Sequence, residues 1–363
     1  MKFVRSSLPV LVSSLITLIV AEAAVQAFVN PSKLYSNIDG SPEAKTWYRE
    51  IKFWDQHREH RDFANNHDPR LGWDFEIDGD RIRGDRSATT SPSTDLYRIV
   101  AIGDSFTYGL DVGAHENFVA LLDEMPEVET LNMGVSGYGI DQAFLKFVNH
   151  GMQYQPDLVL FGIYVSDYER ASLGFTYFAK PQFRRRGSEM VLLGQPVPLP
   201  QDEFDRIDRE ISNKFYIVEL LSNAWRKIAQ SATERARYFD ETDEVVRHIL
   251  SSLQRHLADR QNLLVIHIPS AKAFIQTDEY KSEMSNRLLE IYRDLDIHHL
   301  DLASEFVVDQ DPRAVFEEYY VHFENGSVGH LSSTGHARVV QLIRSALNER
   351  GILETQGNDG SQQ

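Results

Sequence analysis

The sequence feature that most constrains the fold is a short apolar run that leads directly into a serine flanked by glycines. Residues 97–102 (Tyr-Arg-Ile-Val-Ala-Ile) have the length and β-branched content of a strand, and residues 103–109 (Gly-Asp-Ser-Phe-Thr-Tyr-Gly) follow at once. A mostly apolar run of this length is typical of a buried strand in a parallel sheet. In α/β folds, a serine at the exit of such a strand is exposed as a nucleophile. Ser105 is therefore the first candidate for a catalytic residue.

Other strand-like runs recur along the chain with helical patterns between them. These further runs are residues 128–133, 156–164, 262–268 and 298–302. The segment around Leu121 and residues 141–150 have the spacing of amphipathic helices. Apolar strands that alternate with such helices predict an α/β fold with a mostly parallel sheet, covered by helices on both faces.

Composition and charge narrow the class of protein. The chain has 363 residues, of which 42% are hydrophobic and 25% charged, as in soluble globular proteins. Its net charge of −17 argues against nucleic acid as a partner, because binding nucleic acid requires a basic surface. The chain has no cysteine, which excludes thiol catalysis, disulfides and thiolate metal sites. The pattern His57-Arg58-Glu59-His60 lacks zinc-motif spacing. We therefore expect neither a metal nor another cofactor.

The N-terminus predicts how the chain is targeted. Lys2 and Arg5 precede an apolar run of 13 residues, 8–20, which is the length of a signal-peptide core. Extended to Phe28, the segment has 21 residues, enough to span a bilayer. The alternatives are a cleaved signal peptide, an uncleaved membrane anchor formed by residues 8–28, or a buried core helix. Either of the first two predicts an extracytoplasmic protein, periplasmic or secreted, and the second predicts a membrane contact through the N-terminal segment.

The remaining chain divides by composition into a lead-in, a main domain and a tail. The predicted boundaries are 1–29 for the signal peptide or anchor, 30–95 for a lead-in that packs on the main domain, 96–350 for the main domain, and 351–363 for a disordered tail. Residues 170–240 are an insertion with several prolines in its first half, which either covers a substrate site or decorates the periphery.

A serine nucleophile needs a base, a group that orients the base, and donors for the developing oxyanion. His330 is the candidate base, because it stands just before a helix start at residues 332–335. His336, inside that helix, is expected to be structural. The second glycine of a Gly-x-Ser-x-Gly elbow is missing around Ser105, which disfavours the usual α/β-hydrolase arrangement.

Three segments resemble sequence blocks of the SGNH (GDSL-type) hydrolase family. Residues 103–109 resemble its first block, residues 132–139 (Asn-Met-Gly-Val-Ser-Gly-Tyr-Gly) its second, and residues 329–336 its fifth. The resemblance covers about residues 97–350 and is closest to bacterial, membrane-anchored members. It implies a three-layer α/β/α sandwich. It also implies Ser105 as the nucleophile, His330 as the general base, and the backbone N–H groups of Ser105 and Gly137 as oxyanion donors.

Two positions depart from the family pattern. The third block of the family ends in Asn-Asp, and Ser166 stands where the asparagine would donate to the oxyanion. The triad aspartate normally lies two or three residues before the histidine, but Val328 and Ser327 occupy those positions. The remaining candidates for the orienting group are Glu324, Asp301 and a backbone carbonyl. Of these, the sequence favours Glu324.

Two functions follow from this pattern. The leading hypothesis is an extracytoplasmic serine ester hydrolase or O-acyl (acetyl) transferase that works through a Ser-His acyl-enzyme. Its expected substrates are acyl esters of small molecules or of envelope polysaccharides and exopolysaccharides. The alternative is a catalytically degenerate protein of the same fold that binds a glycan or an envelope partner, and the departures at the third and fifth blocks motivate it.

Overall fold

The apolar runs of the sequence form the strands of a central parallel sheet in the computed structural model. In chain order, the strands among the described residues are β1 (His67–Asp68), β2 (Gly72–Trp73), β3 (Tyr97–Gly103), β4 (Val128–Asn132), β5 (Leu158–Tyr164), β6 (Gln182–Arg186), β7 (Glu189–Leu193), β8 (Leu263–Ile268), β9 (His298–Asp301), β10 (Tyr320–His322) and β11 (Val328–Leu331). Within the described chain, the central sheet has five strands in the order β4-β3-β5-β8-β9, and each neighbouring pair is parallel. The predicted parallel sheet is confirmed, with each strand within two residues of its expected bounds.

Helices of the same compact unit flank this sheet, as predicted, and the chain has further helices outside that unit. In chain order, the helices are α1 (Lys2–Phe28), α2 (Pro42–His57), α3 (Ser105–Tyr108), α4 (Phe118–Asp123), α5 (Ile140–Lys146), α6 (Asp167–Arg170), α7 (Pro200–Ser212), α8 (Tyr216–Ala229), α9 (Ala232–His256), α10 (Glu279–Asp294), α11 (Leu302–Glu305), α12 (Pro312–Tyr319) and α13 (Ser333–Glu349). Helix α13 buries Val339, Ile343 and Leu347 at four-residue spacing in the same apolar cluster as strand residues Ile99 and Leu158. Periodicity therefore fixes which face of the helix meets the core.

The C-terminal hairpin, β10 and β11, lies outside the central sheet. Its strands pair antiparallel, with Tyr320 opposite Leu331 and His322 opposite Val328. Gly326 closes the turn with a φ of +78°, a left-handed conformation that favours glycine. Ser332 follows as the N-cap of α13 and accepts a hydrogen bond from the Gly335 N–H at 3.2 Å, as expected for this helix start.

The structure describes residues 2–30, 41–61, 63, 66–74, 90–91, 96–229, 232–257, 259 and 262–352. The chain divides into two compact units. One comprises Met1–Gly72, Leu173–Lys180 and Gly194–Asp240, and the other comprises Trp73–Ser172, Pro181–Leu193 and Glu241–Gln363. The predicted disordered tail from residue 353 onward, and most of the lead-in between 75 and 95, lie outside the described residues.

The first unit combines part of the lead-in with part of the insertion. Phe53 on α2 packs against Phe175, at 5.4 Å between ring centroids, and against Phe204 on α7, at 6.4 Å. Ile207 and Ile211 complete this aromatic-rich cluster. The two segments therefore share one apolar core. The predicted boundaries treat 30–95 and 170–240 as separate segments and do not group them. The predicted packing of the lead-in on the main domain stays a prediction.

The hydrophobic N-terminal segment forms a helix, α1. Among the described residues, however, no helix combines the length and the apolar character needed to cross a membrane. This finding differs from the membrane-spanning alternative for residues 8–28. Glu22 interrupts the apolar run, and its carboxylate accepts hydrogen bonds from the backbone N–H groups of Tyr216 (2.6 Å) and Ile217 (3.0 Å) at the start of α8. The signal-peptide alternative stays a prediction.

Candidate active site

Ser105 lies at the sharp turn from β3 into α3. Asp104 caps this helix, and its Oδ1 accepts the Phe106 N–H at 2.9 Å. Gly103 has a φ of +151°, and a Cβ at this position would overlap the Thr107 hydroxyl and the Gly162 carbonyl oxygen. The glycine therefore lets the chain turn tightly at the strand exit. The turn places Ser105 at the carboxyl edge of the parallel sheet, where α/β folds form their sites.

His330 lies on β11, and the structure brings it to Ser105 from 225 residues away in the sequence. Its Nε2 is 2.8 Å from Ser105 Oγ, a hydrogen-bond distance. The ring of Phe106, the residue after the serine, packs edge-on against the imidazole with 4.7 Å between centroids. This packing limits the rotation of the imidazole and keeps Nε2 directed at the serine.

The carboxylate that orients His330 belongs to Asp111. Asp111 Oδ2 is 2.7 Å from His330 Nδ1 and accepts the His330 backbone N–H at 3.1 Å. A carboxylate at Nδ1 favours the tautomer in which Nδ1 carries the proton, so that Nε2 is free to accept the Ser105 hydroxyl proton. Both side chains are about one-fifth exposed, which keeps the pair partly shielded from water.

Glu324, the acid that the sequence favours, does not contact His330. Glu324 is exposed and lies at the tip of the β10–β11 hairpin. His330 lies toward the opposite end of β11, because Leu331 pairs with Tyr320 at the base of the hairpin. Asp301, the second candidate, caps α11 by accepting the Ala303 N–H at 3.1 Å. The assignment of Glu324 as the triad acid is therefore replaced by Asp111.

Asp111 was not among the expected acids because its position depends on contacts between distant segments. It follows Ser105 by six residues and has a φ of +74°, which aspartate tolerates better than most residues. Its carboxylate packs against Gly329, where a Cβ would lie 2.5 Å from Asp111 Oδ2. A glycine immediately before the histidine was the available signal, since it indicates a close approach by another group.

The predicted oxyanion donors follow three adjacent strands. Ser105 follows β3, Gly137 lies in the loop after β4, and Ser166 follows β5, and these strands are neighbours in the order β4-β3-β5. Among the described residues, none accepts a hydrogen bond from the Ser105 N–H, the Gly137 N–H or the Ser166 hydroxyl. All three groups therefore retain a proton for a ligand. Ser166 is half-buried and begins α6 without capping it through its side chain.

Asn132 links the loop after β4 to the turn that holds Ser105. Its Nδ2 donates to the Thr107 carbonyl at 2.9 Å, and its Oδ1 accepts the Gly134 N–H at 3.0 Å. Gly134 packs so closely that a Cβ would overlap the Tyr108 backbone nitrogen. The first residues of the second sequence block thus have a positioning role, which fixes one strand-exit loop against the other.

A buried charged cluster, Asp104–Arg170–Asp167, lies directly beside the nucleophile. Arg170 Nη1 donates to Asp104 Oδ2 (3.1 Å), to Asp167 Oδ1 (2.7 Å) and to the Tyr138 carbonyl (3.1 Å). Burial and the neighbouring Asp104 charge raise the pKa of Asp167 well above its usual value, although Arg170 opposes this shift. Asp104 Oδ2 also lies 3.3 Å from Ser105 Oγ. Sequence reasoning did not identify Arg170.

Other titratable groups near the site have structural roles. His336 is buried, accepts the Phe118 N–H at Nδ1 (3.2 Å) and stacks on the Phe118 ring, as expected for a structural histidine. In the part of the chain that the structure describes, no group of three His, Asp or Glu side chains is arranged to hold a metal ion.

Comparison with known proteins finds similarity only among solved structures. No protein-family model and no curated protein matches the chain. A lipase/acylhydrolase from Enterococcus faecalis is 16% identical, with 70% of this chain and 97% of that chain covered and a TM-score of 0.41. A putative lipolytic protein of the G-D-S-L family from Desulfitobacterium hafniense is 13% identical, with 69% and 99% covered and a TM-score of 0.38.

A third similar structure, the acetyl xylan esterase AlAXEase, is 14% identical, with 69% of this chain and 99% of that chain covered and a TM-score of 0.39. The G-D-S-L name is the one carried by the family that the sequence blocks resemble. Similarity at this level identifies neither a substrate nor a catalytic residue. The chemistry therefore depends on the contacts of Ser105, His330 and Asp111.

Proposed function

We propose that this protein is a serine ester hydrolase or O-acyl transferase that works through a covalent acyl-enzyme. One observation carries the proposal: a continuous hydrogen-bond chain joins Asp111 Oδ2, His330 and Ser105 Oγ, with distances of 2.7 and 2.8 Å. Nucleophile, base and orienting acid are the parts that a serine hydrolase requires, and such a triad is recognised by geometry rather than by sequence order, which supports the proposal. The main domain is proposed to form a three-layer α/β/α sandwich around this site.

In the first half-reaction, Ser105 Oγ attacks the acyl carbonyl while His330 Nε2 removes its proton. Asp111 stabilises the imidazolium that forms. The Ser105 and Gly137 N–H groups and the Ser166 hydroxyl are the proposed donors to the tetrahedral oxyanion. When the intermediate collapses, His330 returns the proton to the leaving alcohol oxygen, and the acyl group remains on Ser105 as an ester.

The second half-reaction repeats these steps with a new nucleophile. A water molecule or an acceptor hydroxyl attacks the acyl-Ser105 carbonyl, and His330 removes its proton. The proton then returns to Ser105 Oγ as the acyl group leaves, which restores the free enzyme. Water as the nucleophile gives hydrolysis, and a sugar hydroxyl gives transfer. The proposed substrates are acyl esters, acetyl esters among them, of small molecules or of envelope polysaccharides and exopolysaccharides.

The experiment that tests this function measures the reactivity of Ser105. The wild type is treated with a fluorophosphonate probe, and its turnover of p-nitrophenyl acetate is measured. Ser105→Ala is expected to abolish both signals, whereas Ser304→Ala, at an exposed serine on α11, should change neither. Absence of labelling and of Ser105-dependent turnover would refute the enzyme and favour the alternative, a non-catalytic protein that binds a glycan or an envelope partner.

We further propose that the protein works outside the cytoplasm, in contact with a membrane surface. The signal peptide predicted at residues 1–29 supports the location. Exposed apolar side chains support the membrane contact, because large apolar groups on a helix surface favour a lipid interface. On α8, Trp225 and Leu221 are 70% and 68% exposed, and on α1 Val20 is 63% exposed. Flotation of the full chain with phospholipid vesicles tests the contact. Trp225→Ser combined with Leu221→Ser should reduce flotation, and an unchanged bound fraction would argue against it.

A further inference from the structure

A second polar cluster lies at the same edge of the sheet as Ser105. Tyr164 ends β5, Ser270 lies two residues beyond β8, and Lys281 belongs to the first turn of α10. Lys281 Nζ is 3.2 Å from Ser270 Oγ and 3.4 Å from Tyr164 OH. We call these three residues the Lys281 cluster. The mechanism proposed above uses none of them.

Lys281 is a half-buried cation without a carboxylate partner. No carboxylate of the described residues lies within 4.0 Å of its Nζ. Two acidic residues that contact the first turn of α10 have other partners. Asp278 caps α10 by accepting the Lys281 backbone N–H at 3.1 Å, and Glu169 accepts the Tyr280 hydroxyl at 2.7 Å. A partly desolvated ammonium with only hydroxyl neighbours favours the binding of an anion.

Hydrogen-bond accounting leads to the same conclusion. Lys281 donates to the oxygens of Ser270 and Tyr164, so each hydroxyl must direct its own proton away from the ammonium. The described residues offer no acceptor for either hydroxyl proton, nor for the remaining Lys281 N–H. The cluster therefore presents donors and a positive charge with no matching acceptor. An anionic group of a ligand would supply both the missing acceptor and the opposite charge.

Aromatic rings connect this cluster to the catalytic residues. The Tyr164 ring stacks on the Phe106 ring with 4.7 Å between centroids, and Phe106 packs edge-on against His330 at the same distance. Burial and the neighbouring Tyr164 phenol raise the pKa of Tyr320, and the Tyr320 hydroxyl also has no hydrogen-bond partner among the described residues. Two ring contacts of 4.7 Å each thus separate Tyr164 from His330, which places the Lys281 cluster close enough to the catalytic residues for one polymeric substrate to contact both.

We propose that the Lys281 cluster is a subsite for a carboxylate group of the substrate, so that the preferred substrates are acyl esters of acidic sugar polymers. One ammonium with two hydroxyl donors matches a singly charged oxyanion, whereas doubly charged phosphate groups favour arginine forks or several cations. The proposal rests on the proposed hydrolase or transferase function and adds the substrate class to it.

The experiment compares two forms of one polymer that differ only in charge. Acetylated polygalacturonate carries a carboxylate on each sugar, and its methyl-esterified form carries none. Acetate release is measured for both forms at fixed ionic strength, with the wild type, with Lys281→Met, and with Lys272→Met as a control. Lys272 is an exposed lysine on the short 3₁₀ helix Ala271–Phe274, which follows β8, so its variant makes the same change of charge close to the site.

The wild type is expected to have a higher kcat/KM for the charged polymer than for the esterified one. Lys281→Met should lower kcat/KM for the charged polymer by about tenfold or more, because a hydrogen bond to a charged group is lost. Lys281→Met should change kcat/KM for the esterified polymer by less than about twofold. Lys272→Met should change kcat/KM for neither polymer. Equal losses on both polymers with Lys281→Met, or no preference in the wild type, would overturn the subsite.

A binding measurement separates failure of the subsite from failure of the enzyme. If the wild type releases no acetate from any ester, the proposed function fails. The subsite is then tested alone by affinity electrophoresis of the wild type and Lys281→Met in unacetylated polygalacturonate and in its methyl-esterified form. Retardation that requires both the carboxylates and Lys281 would support the subsite without catalysis. Equal retardation of the two proteins by the charged polymer, each measured relative to a gel without polymer, would refute it.

Discussion

Removal of the Asp111 carboxylate should lower turnover strongly while leaving the fold intact. The most informative variant is Asp111→Gly, because Asp111 has a φ of +74° that glycine adopts without strain, whereas alanine would add a backbone penalty. The Asp111 carboxylate makes two hydrogen bonds at the site, one with His330 Nδ1 and one with the His330 backbone N–H. Lost activity can then be attributed to the missing charge and to the lost control of the tautomer.

The size of the effect follows from the geometry of the pair. The Asp111 and His330 side chains are both about one-fifth exposed. Because the pair lies near the protein surface, we use an effective dielectric constant of about 20. With about 4 Å between the charge centres, the carboxylate stabilises the imidazolium by roughly 4 kcal/mol. Turnover should therefore fall by roughly 10³-fold. Asp111→Asn should lie between this variant and the wild type, since an amide oxygen can accept both hydrogen bonds without the full charge.

The assay is steady-state hydrolysis of p-nitrophenyl acetate, with the active enzyme counted by fluorophosphonate titration. Thermal unfolding of each variant establishes that it is folded. Glu324→Ala is the matched control, because it removes the acid that the sequence favours and should leave kcat within about twofold. Added formate should restore part of the activity of Asp111→Gly by occupying the vacated space. The assignment is refuted if Asp111→Gly keeps more than a third of the wild-type kcat, or if Glu324→Ala causes the larger loss.

Three other changes test separate parts of the structure. Ser166→Ala should lower kcat by at least about tenfold, because one oxyanion donor elsewhere contributes about 3–4 kcal/mol; an unchanged kcat in the same ester assay would mean that the serine hydroxyl does not donate. Gly329→Ala should lower kcat by about tenfold or more, since the new Cβ would displace the Asp111 carboxylate; wild-type kcat with an unchanged melting temperature would contradict that contact. Burial lowers the pKa of His267 to about 4, against 6.5 for an unperturbed histidine. The unfolded chain therefore binds a proton that the folded chain does not between these pH values, and the free energy of unfolding falls as pH falls. His267→Gln should remove about 2 kcal/mol of the stability loss between pH 7.5 and pH 5, as measured by urea unfolding. Identical pH dependence in the two proteins would argue against the low pKa.

The sequence predicts those parts of the fold and site that depend on residues close together in the chain. Strand β3 is a continuous apolar run, and Gly103 and Ser105 follow it directly, so the position of the nucleophile needs no long-range information. His330 was found in the same way, from its place just before the N-cap of α13. In both cases, short segments carry the relevant signal.

Asp111 could not be found in this way, because its role arises from a contact between residues 219 positions apart. The relevant features are the left-handed conformation of Asp111 after α3 and the glycine at position 329 on β11. Neither local sequence indicates that it contacts the other. The same limit applies to the first unit, whose core joins Phe53 to Phe204 across 150 residues of chain. Apolar content predicts that such residues are buried, but not which distant segment covers them.

Arg170 accounts for how three separate loops form one site. Its Nη1 contacts Asp104 after β3, the Tyr138 carbonyl after β4 and Asp167 after β5, so one guanidinium nitrogen joins the loops that carry the three proposed oxyanion donors. Removal of this cation would leave two buried carboxyl groups without their shared partner, a change that typically destabilises a protein by about 3–5 kcal/mol. The same cation holds Asp104 at hydrogen-bond distance from Ser105 Oγ. Oxyanion stabilisation depends on donors that are fixed before the charge develops. The buried cluster therefore affects catalysis by fixing loop geometry, and its Asp104 also accepts a hydrogen bond from the nucleophile Ser105 Oγ at 3.3 Å.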